Sequence, residues 1–176
     1  MHEPTTVLTD YLLGTAAVVF AIALWRRNQR AWALAFAATA AGAALGGTYH
    51  GWAHLPLWKP TVYAIGLASL FLLAGLGRWF AIFALAKFVA YAIWMATHDD
   101  FRYVIYDYGL TLLIVAAWAL VHLRHPASRW ILGSAGVSVV AAVVQQSGFN
   151  DLYHLIQIVA LWLLYRGGVR LKTQPT

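Results

Sequence analysis

Apolar residues run along this chain in long blocks separated by short polar breaks. A helix that crosses the hydrocarbon core of a bilayer needs roughly 20 mostly apolar residues. Seven blocks of about that length can be read. The first, near 8–25, ends at Arg26-Arg27, and the second, near 31–53, follows Arg30. Pro56 and Pro60 punctuate the next turn. The third block, near 60–77, stops by Gly77-Arg78, and the fourth, near 79–97, ends at His98-Asp99-Asp100. The fifth, near 102–123, is followed by the polar loop Arg124–Arg129. The sixth, near 130–146, turns at Ser147-Gly148-Phe149-Asn150 into the seventh, near 150–166. The pattern predicts an all-α integral membrane bundle of seven helices, in one transmembrane domain over 1–176. The third-to-fourth and sixth-to-seventh connections are so short that those pairs must be antiparallel neighbours. Small residues from Ala37 to Gly47 allow close helix contact along the second block.

Composition strengthens the membrane reading. Hydrophobic residues make up 62% of the 176 and charged residues 10%, against roughly 45–50% and 25% in a soluble domain. One core cannot bury that excess, so the remaining apolar surface must face lipid. Nine Trp and nine Tyr suit interfacial belts. The chain has no Cys, which excludes disulfides and thiolate metal sites. The formal charge of +6 sits in short clusters between apolar blocks. That distribution marks topology, so no nucleic-acid partner is expected. His2 and Glu3 supply no basic n-region for a cleavable signal, so the first block is expected to remain as a helix.

Basic residues orient the bundle. Arg26, Arg27, Arg30, Arg78, Arg124, Arg129, Arg166, Arg170 and Lys172 fall on one side, Lys59 and Arg102 on the other, and Lys87 within the fourth block. The first side is expected to be cytoplasmic, which puts the N-terminus outside. The expected location is the cell membrane, as for a multi-pass protein of a bacterial inner membrane. All six acids (Glu3, Asp10, Asp99, Asp100, Asp107 and Asp151) lie on the outer side or in the outer part of a helix, as do five of the seven His.

Ionisable groups at membrane depth are costly and usually face a bundle interior. Four positions qualify: His50, Asp107, Asp151 and His154. His50 and His54 are spaced i, i+4, and Asp151 and His154 are spaced i, i+3, so each pair shares a helix face. Zinc accepts His nitrogen and carboxylate oxygen. His50 and His154, with Asp151 or Asp107, could supply three ligands to a water-activating metal. His50 and His154 are the hardest to explain otherwise, while the other candidates have plainer readings. Asp151 suits a helix cap, favoured by the helix dipole. His54 suits the interface before Leu55-Pro56. His98, Asp99 and Asp100 suit a solvated loop, and His122 and His125 suit topology residues. Lys87 either pairs with an acid such as Asp107 or lines a polar cavity.

At Gly46–His50 and Asn150–His154 the chain resembles the alkaline ceramidase and adiponectin-receptor superfamily, called CREST. The resemblance implies seven helices with a zinc site at the N-terminal side of the bundle. It implies ligands from one His ending the second helix and a His-x-x-x-His pair opening the seventh. His50 matches the first and His154 the last. Asn150 stands where the other His would be, which leaves the third ligand to Asp151 or His54. Gly46 stands where that superfamily has a Ser. The third block has no acid where the superfamily has an Asp, a role left to Asp107. Leu8-Thr9-Asp10 and Asn150–His154 also look like a bacterial family of small seven-helix membrane proteins, a resemblance that implies no activity.

The first functional expectation is a zinc-dependent membrane hydrolase of a lipid amide or ester. Its metal ligands would be His50 and His154 with Asp151 or His54, and Asp107 and Asp151 would do acid–base work. The other expectations are a haem-binding electron carrier using His50 with His154 or His98, a small transporter with an Asp107–Lys87–His relay, and an accessory or assembly protein whose polar cluster only locks helices. Membrane lipids are the expected partners, with a homo-oligomer left open.

Overall fold

The computed structural model describes residues 3–52 and 55–171. They form seven α-helices: α1 (Pro4–Trp25), α2 (Arg30–Gly51), α3 (Trp58–Ala74), α4 (Arg78–Thr97), α5 (Arg102–Val121), α6 (Ser128–Gln146) and α7 (Asn150–Arg170). No strand occurs among the described residues. Six helices are long and apolar enough to cross a membrane. The exception is α3, whose 17 residues give a length of about 26 Å at 1.5 Å per residue.

Three helix bounds differ from the apolar blocks for local reasons. α3 ends at Ala74, before Gly75-Leu76-Gly77, where the chain turns through a Gly77 φ of 141°. Only glycine adopts that conformation without strain. α1 begins about one turn before its block, at Pro4, which suits a first turn. The extra turn carries Thr5 and Thr6, which hydropathy alone does not count as helix. α7 runs one turn past its block to Arg170.

The helices pack in the order α1–α2–α3–α5–α6–α7 and back to α1, closing a ring of six. α4 lies outside this ring against α3, and only its Ala84, Tyr91 and Met95 are buried. Large apolar side chains such as Ile93, Leu113, Val121 and Val139 face outwards, as a lipid-facing surface requires.

Between helices in lipid the hydrophobic effect gives little, so contact depends on close packing. At the basic end of the bundle, Trp32 of α2 is fully buried. It lies between Gly75 and Gly168. A Cβ at Gly75 would stand 2.0 Å from Trp32 Cδ1, and one at Gly168 would stand 2.6 Å from Trp32 Cε3. The two glycines therefore hold the slot that lets α2, α3 and α7 meet. By contrast, a Cβ at Gly109 of α5 would touch nothing within 4 Å.

This contrast gives a paired prediction. Gly75→Ala forces the Trp32 indole to move and should destabilise the fold by about 1–3 kcal/mol. Gly109→Ala should be neutral or stabilising by up to about 1 kcal/mol. Thermal unfolding of both variants in detergent checks the pair; equal melting temperatures would count against the Trp32 slot.

Candidate functional site

The ring encloses a cavity of about 620 Å³, lined by α1, α2, α3, α5, α6 and α7 and by no residue of α4. That volume is in the range of small-molecule sites. Its walls are mainly apolar. Gly42, Gly46 and Gly109 leave space in them. At the acid-bearing end the lining turns polar, with Asp10, Tyr49, His50, Asn150, Tyr153 and His154. Leu113 of α5 and Val139 of α6 line the cavity and are also 68% and 64% exposed. The cavity therefore opens sideways between α5 and α6, onto the apolar surface.

The polar end is built where α1 meets α7. Thr6 Oγ1 donates to Asp151 Oδ1 at 2.9 Å, and Thr9 Oγ1 lies 3.0 Å from His154 Nδ1. Thr6 and Thr9 are three residues apart, and so are Asp151 and His154, so the two contacts are successive rungs between parallel helices. A third contact joins His154 Nε2 to Asp10 Oδ1 at 3.2 Å. Asp10, His154 and Thr9 are all buried. Gly47 of α2 makes room for this arrangement, because a Cβ there would stand 2.8 Å from Asp10 Cβ.

The Thr9 hydroxyl favours one imidazole tautomer. Its oxygen is 3.1 Å from both Thr5 O and Thr6 O, so its single hydrogen goes to the backbone. It then accepts a hydrogen from His154 Nδ1. Nε2 and Asp10 Oδ1 are left to share one proton, as imidazolium and carboxylate or as imidazole and carboxylic acid. Asp10 Oδ2 is buried with no hydrogen-bond partner in the protein, and Asp10 lines the cavity. An unmet acceptor therefore belongs to the acid–base pair itself.

The expected site residues divide into three groups. His50 and His154 line the same cavity. His50 Nδ1 pairs with Glu3 Oε2 at 3.0 Å, where both side chains are partly exposed. Asp151 receives Thr6 and does not line the cavity. Nor is it a cap, since the cap position of α7 is Phe149 and no side-chain cap bond forms. Asp107 is elsewhere: it forms a salt bridge with Lys87 of α4, away from the cavity lining. His98, the alternative axial ligand, stacks on Trp94 at 4.0 Å and also stands off the cavity. His54 lies outside the described residues.

Asp10, Thr6 and Thr9 were not candidates. Their signal was a polar set spaced i, i+3, i+4 at the start of α1, running from before the first apolar block into it, opposite an acid and a His spaced i, i+3 in the last. As arranged, both ring nitrogens of His154 have protein partners and His50 uses Nδ1 on Glu3. Among the described residues no group of three or more His, Asp or Glu is placed to hold a metal. Among the described residues, which leave out His54, the donor set implied by the resemblance is incomplete, and no step below runs through zinc.

At the rim, Lys59 in the first turn of α3 reaches the α4–α5 connection, 2.7 Å from Asp99 Oδ1. The hydrogen bond from Lys59 holds the Asp99 carboxyl below the usual carboxylate range. A hydrogen bond from the Arg102 side chain does the same for Asp100. These exposed pairs order the rim and contribute little energy.

The Lys87–Asp107 pair differs, because its side chains are only 9% and 6% exposed. Removing one partner of a buried pair leaves an uncompensated charge and costs about 3–5 kcal/mol, while replacing both is often near neutral. Lys87→Leu and Asp107→Leu should each destabilise the fold, and the double variant should recover most of that loss. The melting temperatures of the three proteins check this. Additive losses would return Asp107 to the list of functional acids.

Comparison with known proteins adds a family and no activity. No curated protein and no solved structure matches the chain. Residues 5–173 match a family described as being of unknown function, DUF6962. That match takes in α1 from its second residue and the whole of α7, including both sides of the Thr–Asp–His contact. The chain belongs to the DUF6962 family.

Proposed function

We propose that this chain is a membrane-embedded hydrolase of a lipid amide or ester. Its reactive pair is Asp10 and His154, and its central cavity holds the substrate's apolar chain. The observation that carries this reading is the buried Asp10–His154 contact on the wall of a mainly apolar cavity. A lipid chain would enter from the bilayer between Leu113 and Val139 and bring its polar linkage to the acid-bearing end. Asp10, through its unpartnered Oδ2, would then take a proton from water. The hydroxide oxygen bonds to the carbonyl carbon, the C–N or C–O bond breaks, and the proton passes to the leaving nitrogen or oxygen. His154 orients the carboxyl group through Nε2 and balances its charge. Tyr49 and Tyr153 bring phenol donors to the same cavity for the developing oxyanion.

The test uses purified protein with short- and long-chain fluorogenic lipid amides and esters. Asp10→Asn and His154→Gln should each lower turnover by about 100-fold or more, the scale of general acid–base catalysis. Asp107→Leu/Lys87→Leu should keep it. Absence of turnover by the wild type on every such substrate sinks the reading. Metal analysis of the same preparation decides the zinc expectation: near-stoichiometric zinc, lost in His50→Ala, would give the water-activating role to an ion.

A second reading is a non-enzymatic membrane protein whose polar groups hold helices together. The Lys87–Asp107 pair favours it, since those buried charges tie α4 to α5 off the cavity. Under that reading His154→Gln lowers stability and no activity accompanies the wild type.

The basic loops support an N-terminus outside and a C-terminus in the cytoplasm of a bacterial-type inner membrane. The chain has no Cys, so single introduced cysteines report topology cleanly. A Cys at Asp99 should react with an impermeant maleimide on intact cells, and a Cys at Arg124 only after permeabilisation. The reverse pattern inverts the orientation.

A further inference from the structure

At the end of the bundle opposite the Asp10–His154 pair, three guanidiniums gather on one indole. Trp130 stands in the first turn of α6. The Arg166 Cζ lies 4.5 Å from its ring centroid, that of Arg170 4.9 Å, and that of Arg129 5.3 Å. Arg166 also lies 5.4 Å from the Trp162 centroid. Two helices contribute, α6 from its start and α7 from its last turns. Three like charges on one ring repel one another, and cation–π attraction offsets this only in part. None of the chain's six acids lies at this end; they are Glu3, Asp10, Asp99, Asp100, Asp107 and Asp151. The Trp130 indole N–H is buried with no acceptor in the protein. α6 begins without a side-chain cap, so its first amides add to the positive field. Arg170 Nη1 donates to the Arg166 backbone carbonyl at 2.9 Å, which holds the Arg170 side chain along α7.

We propose that Arg129 and Arg166 beside Trp130 form a binding site for a phosphate group, supplied by the headgroup of an anionic membrane lipid. Planar guanidiniums match phosphate oxygens in a way that a lysine ammonium does not. Trp130 and Trp162 hold them at the depth where aromatic side chains meet headgroups. The site is independent of the reaction proposed for the central cavity and stands whether or not that reaction occurs.

The experiment is native mass spectrometry of the full chain in micelles containing equal phosphatidylglycerol and phosphatidylcholine. The wild type should retain phosphatidylglycerol about tenfold better, because the choline ammonium of phosphatidylcholine sets a like charge beside the guanidiniums while its phosphate is the same. Arg129→Gln/Arg166→Gln should abolish that preference. Arg26→Gln/Arg27→Gln, which removes equal charge at the same end, should keep it. If the first variant does not fold, Arg129→Lys/Arg166→Lys replaces it and should weaken the preference by about threefold or more through loss of the planar fork. Inorganic phosphate distinguishes the sources. Retention of the lipid in its presence assigns the site to the headgroup, and displacement assigns it to free phosphate. A wild type with no preference, or an equal loss in the Arg26/Arg27 variant, overturns the proposal.

Discussion

Hydrogen bonds between the first and last helices are the tie on which the arrangement depends. In hydrocarbon a threonine hydroxyl, a carboxylate and an imidazole have no water to turn to. Thr6, Thr9 and Asp10 therefore find their partners on α7. Such contacts contribute about 0.6 kcal/mol each on average between membrane helices. Their importance lies less in that sum than in the register they impose. Because both sides repeat at three residues, a rotation of either helix would break both rungs. α1 is thereby held beside α7, the ring is closed, and the cavity exists.

Small residues do the complementary work. Gly47 lets α2 approach α1 at the level of Asp10, and Gly75 and Gly168 let α2, α3 and α7 converge on Trp32 at the opposite end. The polar end thus has its geometry set by hydrogen bonds and the basic end by shape. Between them the packing around the ring is sparsest where α5 meets α3 and α6, and a Cβ at Gly109 or Gly136 would meet nothing within 4 Å. α4 adds no wall to the cavity and is held to α3 by packing and to α5 through its charge pair with Asp107.

The number of helices was legible because the length of an apolar block is a local property, set by bilayer thickness. The order of helices around the ring was not, since it depends on contacts such as Thr6–Asp151, between residues 145 positions apart. Depth along a helix could be read, and it brought His50 and His154 forward. Direction around the helix could not, and so Asp107, at a similar depth, was grouped with them although it faces α4. The threonines escaped notice because hydropathy barely registers a hydroxyl. Asp10 was counted as one more outer acid. Only the partner on α7 gives it a chemical identity.

That distance along the chain has a consequence for the order of events during synthesis. Asp10 and His154 are separated by 144 positions, which at 5–20 residues per second is roughly 7–30 s of translation. Throughout that interval α1 carries a carboxyl group that has neither its imidazole nor a finished cavity beside it. The acid–base pair comes into being only when the seventh helix arrives. A partly made bundle therefore holds an unpartnered carboxyl group, and the helix that supplies its partner is the same one that closes the ring.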